Sequence, residues 1–268
     1  DFLGLIILIQ KYADEITLSE LSDGSFVNDL ESNLYNLDYK QNFVENLSQK
    51  SPNGTILDFV FDKKSKLQIA FSVSHLSTRI TIVFNCINDE FEWYSNTPVA
   101  LSLLHDDVYV NSHFLDQLDE DTLYYIKKKL LEIKINYPNY DIYFTGYSLG
   151  GAVCTLAAYI IIRELKSLEI TVVSFGSPRI GNDKWSESFE NTNKLKNYRI
   201  TNDKDILTSL PILNYTHVGV NLNLGYNELN LYDKSNQYPW YQFSIFNCWN
   251  FDKRDTKSYM SSLTKNKW

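Results

Sequence analysis

The sequence predicts an α/β fold, with a mostly parallel central sheet flanked by helices. Three observations predict it. From residue 56 onward, short β-branched and aromatic runs alternate with helical patterns, the order that builds parallel sheets. The stretch Tyr140-Asp-Ile-Tyr-Phe-Thr-Gly-Tyr-Ser-Leu-Gly-Gly-Ala152 reads as strand, sharp turn and helix in immediate succession. With 268 residues, 44% of them apolar, the chain can bury one large core, so a single domain over 1–268 is expected rather than two small ones.

In chain order, Leu3, Ile6, Ile7, Ile9 and Tyr12 recur at helical spacing, which predicts a helix within about 2–21. The polar stretch to Gly54 yields only a short helix near Phe43–Leu47. Ile56–Phe61 and Leu67–Val73, divided by the charged Asp62-Lys-Lys-Ser-Lys66, predict a hairpin. Thr78–Phe84 ends in a near-continuous apolar run, as a buried central strand does. The aromatic residues Phe91, Trp93 and Tyr94 follow in a polar segment and would serve either as a lid over an apolar site or as plain packing. Between 121 and 136, Leu123, Ile126, Leu130 and Ile133 share one helical face, and Pro138 stops the pattern. Gly151–Leu165 starts small and turns apolar on nearly every side, the mark of a helix buried against a sheet. Ile170–Phe175 and Lys196–Thr201 are strands separated by the loop Gly176–Asn182. The Trp- and Tyr-rich region after Leu222 is strand-prone, and its elements are left unplaced.

Composition narrows the function. A net charge of -8 disfavours nucleic acid as a partner and disfavours electrostatic anchoring on anionic lipid, while leaving neutral lipids open as substrates. Cys86, Cys154 and Cys248 match no metal-ligand spacing and cannot all pair within one chain, so a reduced, intracellular compartment is the simpler reading. Phe2–Ile9 is too short for a membrane span and has neither a basic lead nor a cleavage site. The chain opens at Asp1, however, and its compartment stays open.

Chemistry is concentrated at Gly146-Tyr-Ser-Leu-Gly150. The Gly-x-Ser-x-Gly spacing suits a nucleophile elbow, in which glycines without a Cβ let strand and helix approach while Ser148 occupies the strained turn. The Leu149 N–H, at the head of the helix, would face a developing oxyanion. In α/β-hydrolases an acid and then a histidine follow the serine. Asp203 and Asp205 both stand just past a strand end, where such sheets build their sites; the alternative for each is a solvated turn aspartate. Of the four histidines, His75, His105, His113 and His217, only His217 lies downstream of Asp205. It is the one candidate base in that order, and a structural histidine is its alternative.

These segments together resemble the class 3 lipases, the fungal triacylglycerol lipase-like α/β-hydrolases, from about Phe61 to Gly219. Gly146-Tyr-Ser-Leu-Gly-Gly151 is similar to the family's Gly-His-Ser-Leu-Gly-Gly, and Phe175–Asn182 to its Phe-Gly-x-Pro-Arg-Val-Gly-Asn. Arg199–Pro211 resembles the segment Asp-Ile-Val-Pro-x-Leu-Pro that carries the triad acid, which selects Asp205. The resemblance also implies a second oxyanion donor after the strand at Ile80–Phe84, where the family has Arg-Gly-Thr. This chain has Asn85-Cys-Ile87 instead, so the Ile87 N–H is the candidate.

Three further departures stand out. Glu92-Trp93 replaces Asp-Trp, and Val110-Asn-Ser-His-Phe114 displaces both the histidine and the glycine of Val-His-x-Gly-Phe. Tyr215-Thr-His-Val-Gly219 resembles a family segment whose histidine is not the base. The family's base lies nearer the C-terminus, before a Tyr-containing helix. The counterpart here, Lys253–Tyr259, has Arg254 at about that place and no histidine, and arginine stays protonated.

The expected function is therefore a serine ester hydrolase of the lipase or esterase type, with Ser148 as nucleophile, Asp205 as acid, His217 as base, and Leu149 and Ile87 as oxyanion donors. No metal or organic cofactor is called for. The partners expected are an ester or lipid substrate and transient contact with a lipid interface. The alternative is a lipase-like protein that has lost catalysis and serves a binding or structural role. Acyl-chain preference and oligomeric state are not legible in the sequence.

Overall fold

The computed structural model describes residues 2–10, 37–51, 54–62, 67–86, 100–202, 205–224, 229–232 and 256–265. Its centre is an eight-stranded sheet whose strands, numbered in chain order, lie side by side as β1 (Thr55–Asp62), β2 (Leu67–Ser74), β3 (Arg79–Cys86), β6 (Asp141–Tyr147), β7 (Ile170–Phe175), β8 (Leu195–Asn202), β9 (Val220–Leu224) and β10 (Leu229–Tyr232). β1, β2 and β3 pair antiparallel; β3 through β6, β7, β8 and β9 run parallel; β10 returns antiparallel. A two-stranded ribbon, β4 (Leu101–His105) with β5 (Val108–Asn111), stands beside it.

Helices cover both faces. A helix over 2–10, which we call α1, and α2 (Leu37–Lys50) belong to one core, with Ile6, Ile9 and Leu47 against Ala70, Val83 and Val173. On the other face, α3 (Ser112–Asp116), α4 (Glu120–Asn136) and α5 (Leu149–Glu164) pack on Phe71, Ile82, Phe84, Phe144 and Val172. Neighbours such as Val83 and Phe84 therefore enter opposite cores, which is why β3 reads as a near-continuous apolar run. α4 is one-sided: Ile126, Leu130 and Ile133 are buried, and Asp119 caps its start by accepting from the Thr122 N–H. α5 is buried along most of its length, as its sequence requires.

α6 (Asp183–Glu190), a 3-10 turn (Ile206–Ser209) and α7 (Thr256–Lys265) complete the set. The hairpin, the buried strand and the helices at 121–136 and 151–165 fall where the sequence places them, within a few residues. The expected N-terminal helix is described only over 2–10. The short helix near Phe43 proves to be part of the longer α2. The lid candidates Phe91, Trp93 and Tyr94 lie outside the described residues.

Candidate active site

Ser148 sits between β6 and α5 with φ 52° and ψ -122°, a conformation that an L-residue adopts only under strain. The glycines make it attainable. A Cβ on Gly146 would collide with the Gly150 carbonyl, and one on Gly150 would lie 2.5 Å from the Phe84 carbonyl oxygen at the end of β3. The turn is pinned from β7, where the Phe175 carbonyl accepts the Ser148 N–H at 2.8 Å.

A serine at a helix N-cap ordinarily turns its hydroxyl back to accept from the first turn. Here the Ser148 side chain makes no such bond, and its own carbonyl accepts the Gly151 and Ala152 N–H groups instead. Its Oγ is buried with no hydrogen-bond partner among the described residues. The hydroxyl is thus withheld from capping at the head of α5, whose first N–H group is that of Leu149. Ser148→Gly is expected to stabilise the fold by about 1 kcal/mol by relieving the positive φ, while Ser148→Ala should not. Equal urea midpoints for the two variants would show that the turn is unstrained.

Asp205 is 96% buried at the end of β8, being 4% exposed. Its Oδ1 accepts from the Leu207 N–H at 3.2 Å, and its Oδ2 accepts from the Tyr259 hydroxyl at 2.5 Å. Tyr259, on α7, also accepts from the Asn202 N–H at 3.2 Å. Burial, then the Asp205 carboxylate, raises the Tyr259 pKa well above the usual 10, so the phenol remains a donor. Gly176 ties this pair to the elbow. It follows Phe175 with φ +61°, and a Cβ there would lie 3.0 Å from Asp205 Oδ2 and 3.1 Å from the Tyr259 hydroxyl. Only glycine fits. The Tyr147 ring meets Tyr259 edge-on at 5.7 Å and closes the group.

Sequence reasoning missed Tyr259 and Gly176 as site residues. Both stand inside segments quoted for the family resemblance, and the signals available were the tyrosine of the C-terminal helix and the glycine after a strand end. Asp203 and Arg254 lie outside the described residues, as does Ile87, which follows the last described residue of β3. Just before Ile87, Asn85 donates to Gln68 Oε1 at 2.8 Å, and the Cys86 thiol donates to Gln117 Oε1 at 3.0 Å. Burial raises the pKa of Cys86, so this sulfur stays a thiol rather than a competing nucleophile.

All four histidines are placed, and each has a ring nitrogen engaged away from Ser148. His75 Nδ1 pairs with the Tyr140 hydroxyl at 2.9 Å, His105 Nε2 with the Tyr159 hydroxyl at 2.7 Å, and His113 Nε2 with the Gln117 amide at 2.8 Å. His217 donates from Nε2 to the Thr208 carbonyl at 2.5 Å. A Ser148–His217 hydrogen bond is not formed among the described residues. The physical reason is local. Thr208 lies in the turn that follows Asp205, and Arg179 fastens the same segment through the Ser209 and Pro211 carbonyls at 2.7 and 2.9 Å. His217 and Arg179 staple the acid-bearing turn.

Burial first, then the charges of Arg199 and Arg179, holds the His217 pKa well below 6.5. In the unfolded chain this group takes up a proton near pH 6.5, whereas the folded chain resists it. Its contribution to stability is full above that pH and is lost as the pH falls from about 6.5 toward the folded value. His217→Gln, which keeps an N–H donor, should flatten the fall in unfolding free energy over this window. An unchanged slope in urea melts would remove His217 from the account.

With this geometry in view, the comparisons with known proteins identify the family. The chain belongs to the class 3 lipases: the family model described as Lipase (class 3) matches residues 77–215, just over half of it. Lipase ZK262.3 of Caenorhabditis elegans is 39% identical over 77 residues, covering 28% of this chain and 22% of the relative. Phospholipase A1-II 1 of Oryza sativa subsp. indica is 33% identical over 96 residues, covering 35% and 24%. The matched stretch thus spans under a quarter of either relative. Among solved structures, lipase II from Rhizopus niveus superposes with a TM-score of 0.64 at 19% identity over 85% of this chain and 83% of that one. The lipase from Rhizopus microsporus var. chinensis gives 0.62 at 17% identity, over 85% and 76%. The fold is that of the α/β-hydrolases.

Proposed function

We propose that this protein is a lipase-type serine ester hydrolase that acts through an acyl-enzyme on Ser148, with turnover limited by the lack of an imidazole at the nucleophile. The observation that carries the reading is Ser148 itself, held at positive φ with its hydroxyl bare at the head of α5. In this reading Ser148 Oγ attacks the ester carbonyl and the Oγ–C bond forms. The serine proton passes to water, and the oxyanion rests on the N–H groups of Leu149 and Ile87. The oxyanion collapses, the alcohol leaves with a proton, and water then releases the acid. The names of the relatives, a lipase and a phospholipase A1, support an acyl ester of a lipid as substrate.

A second reading is favoured by one observation, the engagement of all four histidines elsewhere: a lipase-like protein without turnover that binds acyl esters. Loss of the base removes several orders of magnitude, yet oxyanion donors alone leave about 10³–10⁴-fold over water in a well-studied serine hydrolase. Hydrolysis of short-chain nitrophenyl esters separates the two readings. Slow turnover that disappears in Ser148→Ala supports the hydrolase; a rate that Ser148→Ala leaves unchanged rejects it.

A further inference from the structure

We propose that a cleft on the edge of the sheet opposite the elbow binds a phosphate ester carrying hydroxyl groups. The cleft has a volume of about 600 Å³ and is lined by Ile162, Arg163, Lys166, Thr192, Asn193 and Lys194. That volume lies within the range of small-molecule sites. It forms where α5 ends and where the turn after α6 enters β8. This is the N-terminal edge of the parallel strands, whereas Ser148 stands past the C-terminal end of β6. The two sites are therefore separate, and this proposal does not rest on ester hydrolysis.

Among the described residues, three cations line the cleft and no carboxylate does, in a chain whose net charge is -8. The acidic residues nearest in sequence each have a partner elsewhere. Glu164 pairs with Lys127 at 2.5 Å, Glu169 with Lys196 at 2.8 Å, and Glu190 accepts the Gly219 N–H at 2.6 Å. Neither Lys166 nor Lys194 forms a salt bridge among the described residues, although Glu169, bonded to Lys196, also feels the charge of Lys194; both ammonium groups can therefore still turn to an anion. Arg163 is already oriented, with Nη1 donating to the Tyr159 hydroxyl at 2.9 Å and the guanidinium 5.3 Å from the Tyr159 ring centre. A preorganised fork of this kind suits phosphate oxygens.

Thr192 gives its hydroxyl hydrogen to the Ser188 carbonyl at 2.8 Å, so its oxygen is left as an acceptor. With the Asn193 amide it can meet ligand hydroxyls, and Ile162 supplies a single apolar wall. Lys194 holds φ +65°, a conformation glycine would adopt without strain. A long cationic side chain kept in that turn is consistent with use of its charge.

The phosphate could be borne by a soluble metabolite or by a lipid headgroup, and two arms of one experiment separate these sources. Glycerol 3-phosphate is titrated calorimetrically into the full chain at low salt, and phosphatidylcholine vesicles with and without phosphatidylglycerol are tested by co-sedimentation. Saturable binding of glycerol 3-phosphate, weakened at least about tenfold by Lys194→Gly and by Lys166→Ala, supports a soluble ligand. Co-sedimentation that needs both phosphatidylglycerol and Lys194 supports a headgroup. Lys194→Gly should melt no lower than the parent chain, so lost binding is not lost folding, and Ser148→Ala should bind unchanged. If the parent chain binds in neither arm, or if both lysine variants bind as it does, the site does not exist.

Discussion

Thr256→His is expected to raise the hydrolysis of short-chain nitrophenyl esters by about 10²–10⁴-fold, the contribution of a positioned general base. The position follows from helix geometry. Tyr259 on α7 delivers its hydroxyl to Asp205 Oδ2 at 2.5 Å, and the residue three earlier shares that helix face, its Cβ about 5–6 Å away. That residue is Thr256, the first of α7 and half-buried. An imidazole there would stand one turn from Tyr259, the Asp205 partner. The register thus points to 256 rather than to the Arg254 position that the family resemblance implied. The gain should vanish in the double variant with Ser148→Ala. A folded Thr256→His protein that is no faster than the parent would mean that the serine and the acid are not arranged for catalysis at all.

Gly146→Ala is expected to cost about 3 kcal/mol or more in unfolding free energy and to abolish reaction at Ser148. An added methyl would meet the Gly150 carbonyl, which is backbone and cannot rotate away as a side chain would. Overpacking in a well-packed core typically costs about 1–3 kcal/mol, and here the strand and the first turn of α5 must also part. Since Gly150 in turn lies against the Phe84 carbonyl, the shift would pass to the end of β3, next to the candidate oxyanion segment. Denaturant melts measure the loss. A change below about 1 kcal/mol, within the ordinary range for a point substitution, would contradict the tight elbow.

The parts of this fold that were legible in the sequence are those governed by local rules. β3 and α5 are buried on both sides and announce it by near-continuous apolar runs, and the elbow glycines announce a close approach. Asp205 was selected because the segment that follows it has a recognisable pattern. The ribbon of β4 and β5 was missed because its strands are short and half-exposed: Leu103 and Tyr109 face each other toward solvent, which blurs the alternation that marks a strand. α6 was missed because only two of its eight residues, Trp185 and Phe189, are apolar side chains turned inward.

The partner of Asp205 was out of reach for a different reason. Tyr259 is 54 residues downstream of it, and the contact is made by packing rather than by spacing. The surroundings of His217 were out of reach for the same reason. Chain order placed it after the acid, but its ring serves the turn at Thr208.

The central claim is that Ser148 is a poised nucleophile lacking only an efficient base. Intact-mass and peptide-level detection of fluorophosphonate labelling tests it most directly, because phosphonylation needs the elbow and its oxyanion donors and requires no turnover. The account predicts slow labelling of one residue, Ser148, approaching one adduct per chain, absent in Ser148→Ala and accelerated in Thr256→His. A chain that stays unlabelled after prolonged incubation, or that is labelled equally when Ser148 is alanine, would contradict it.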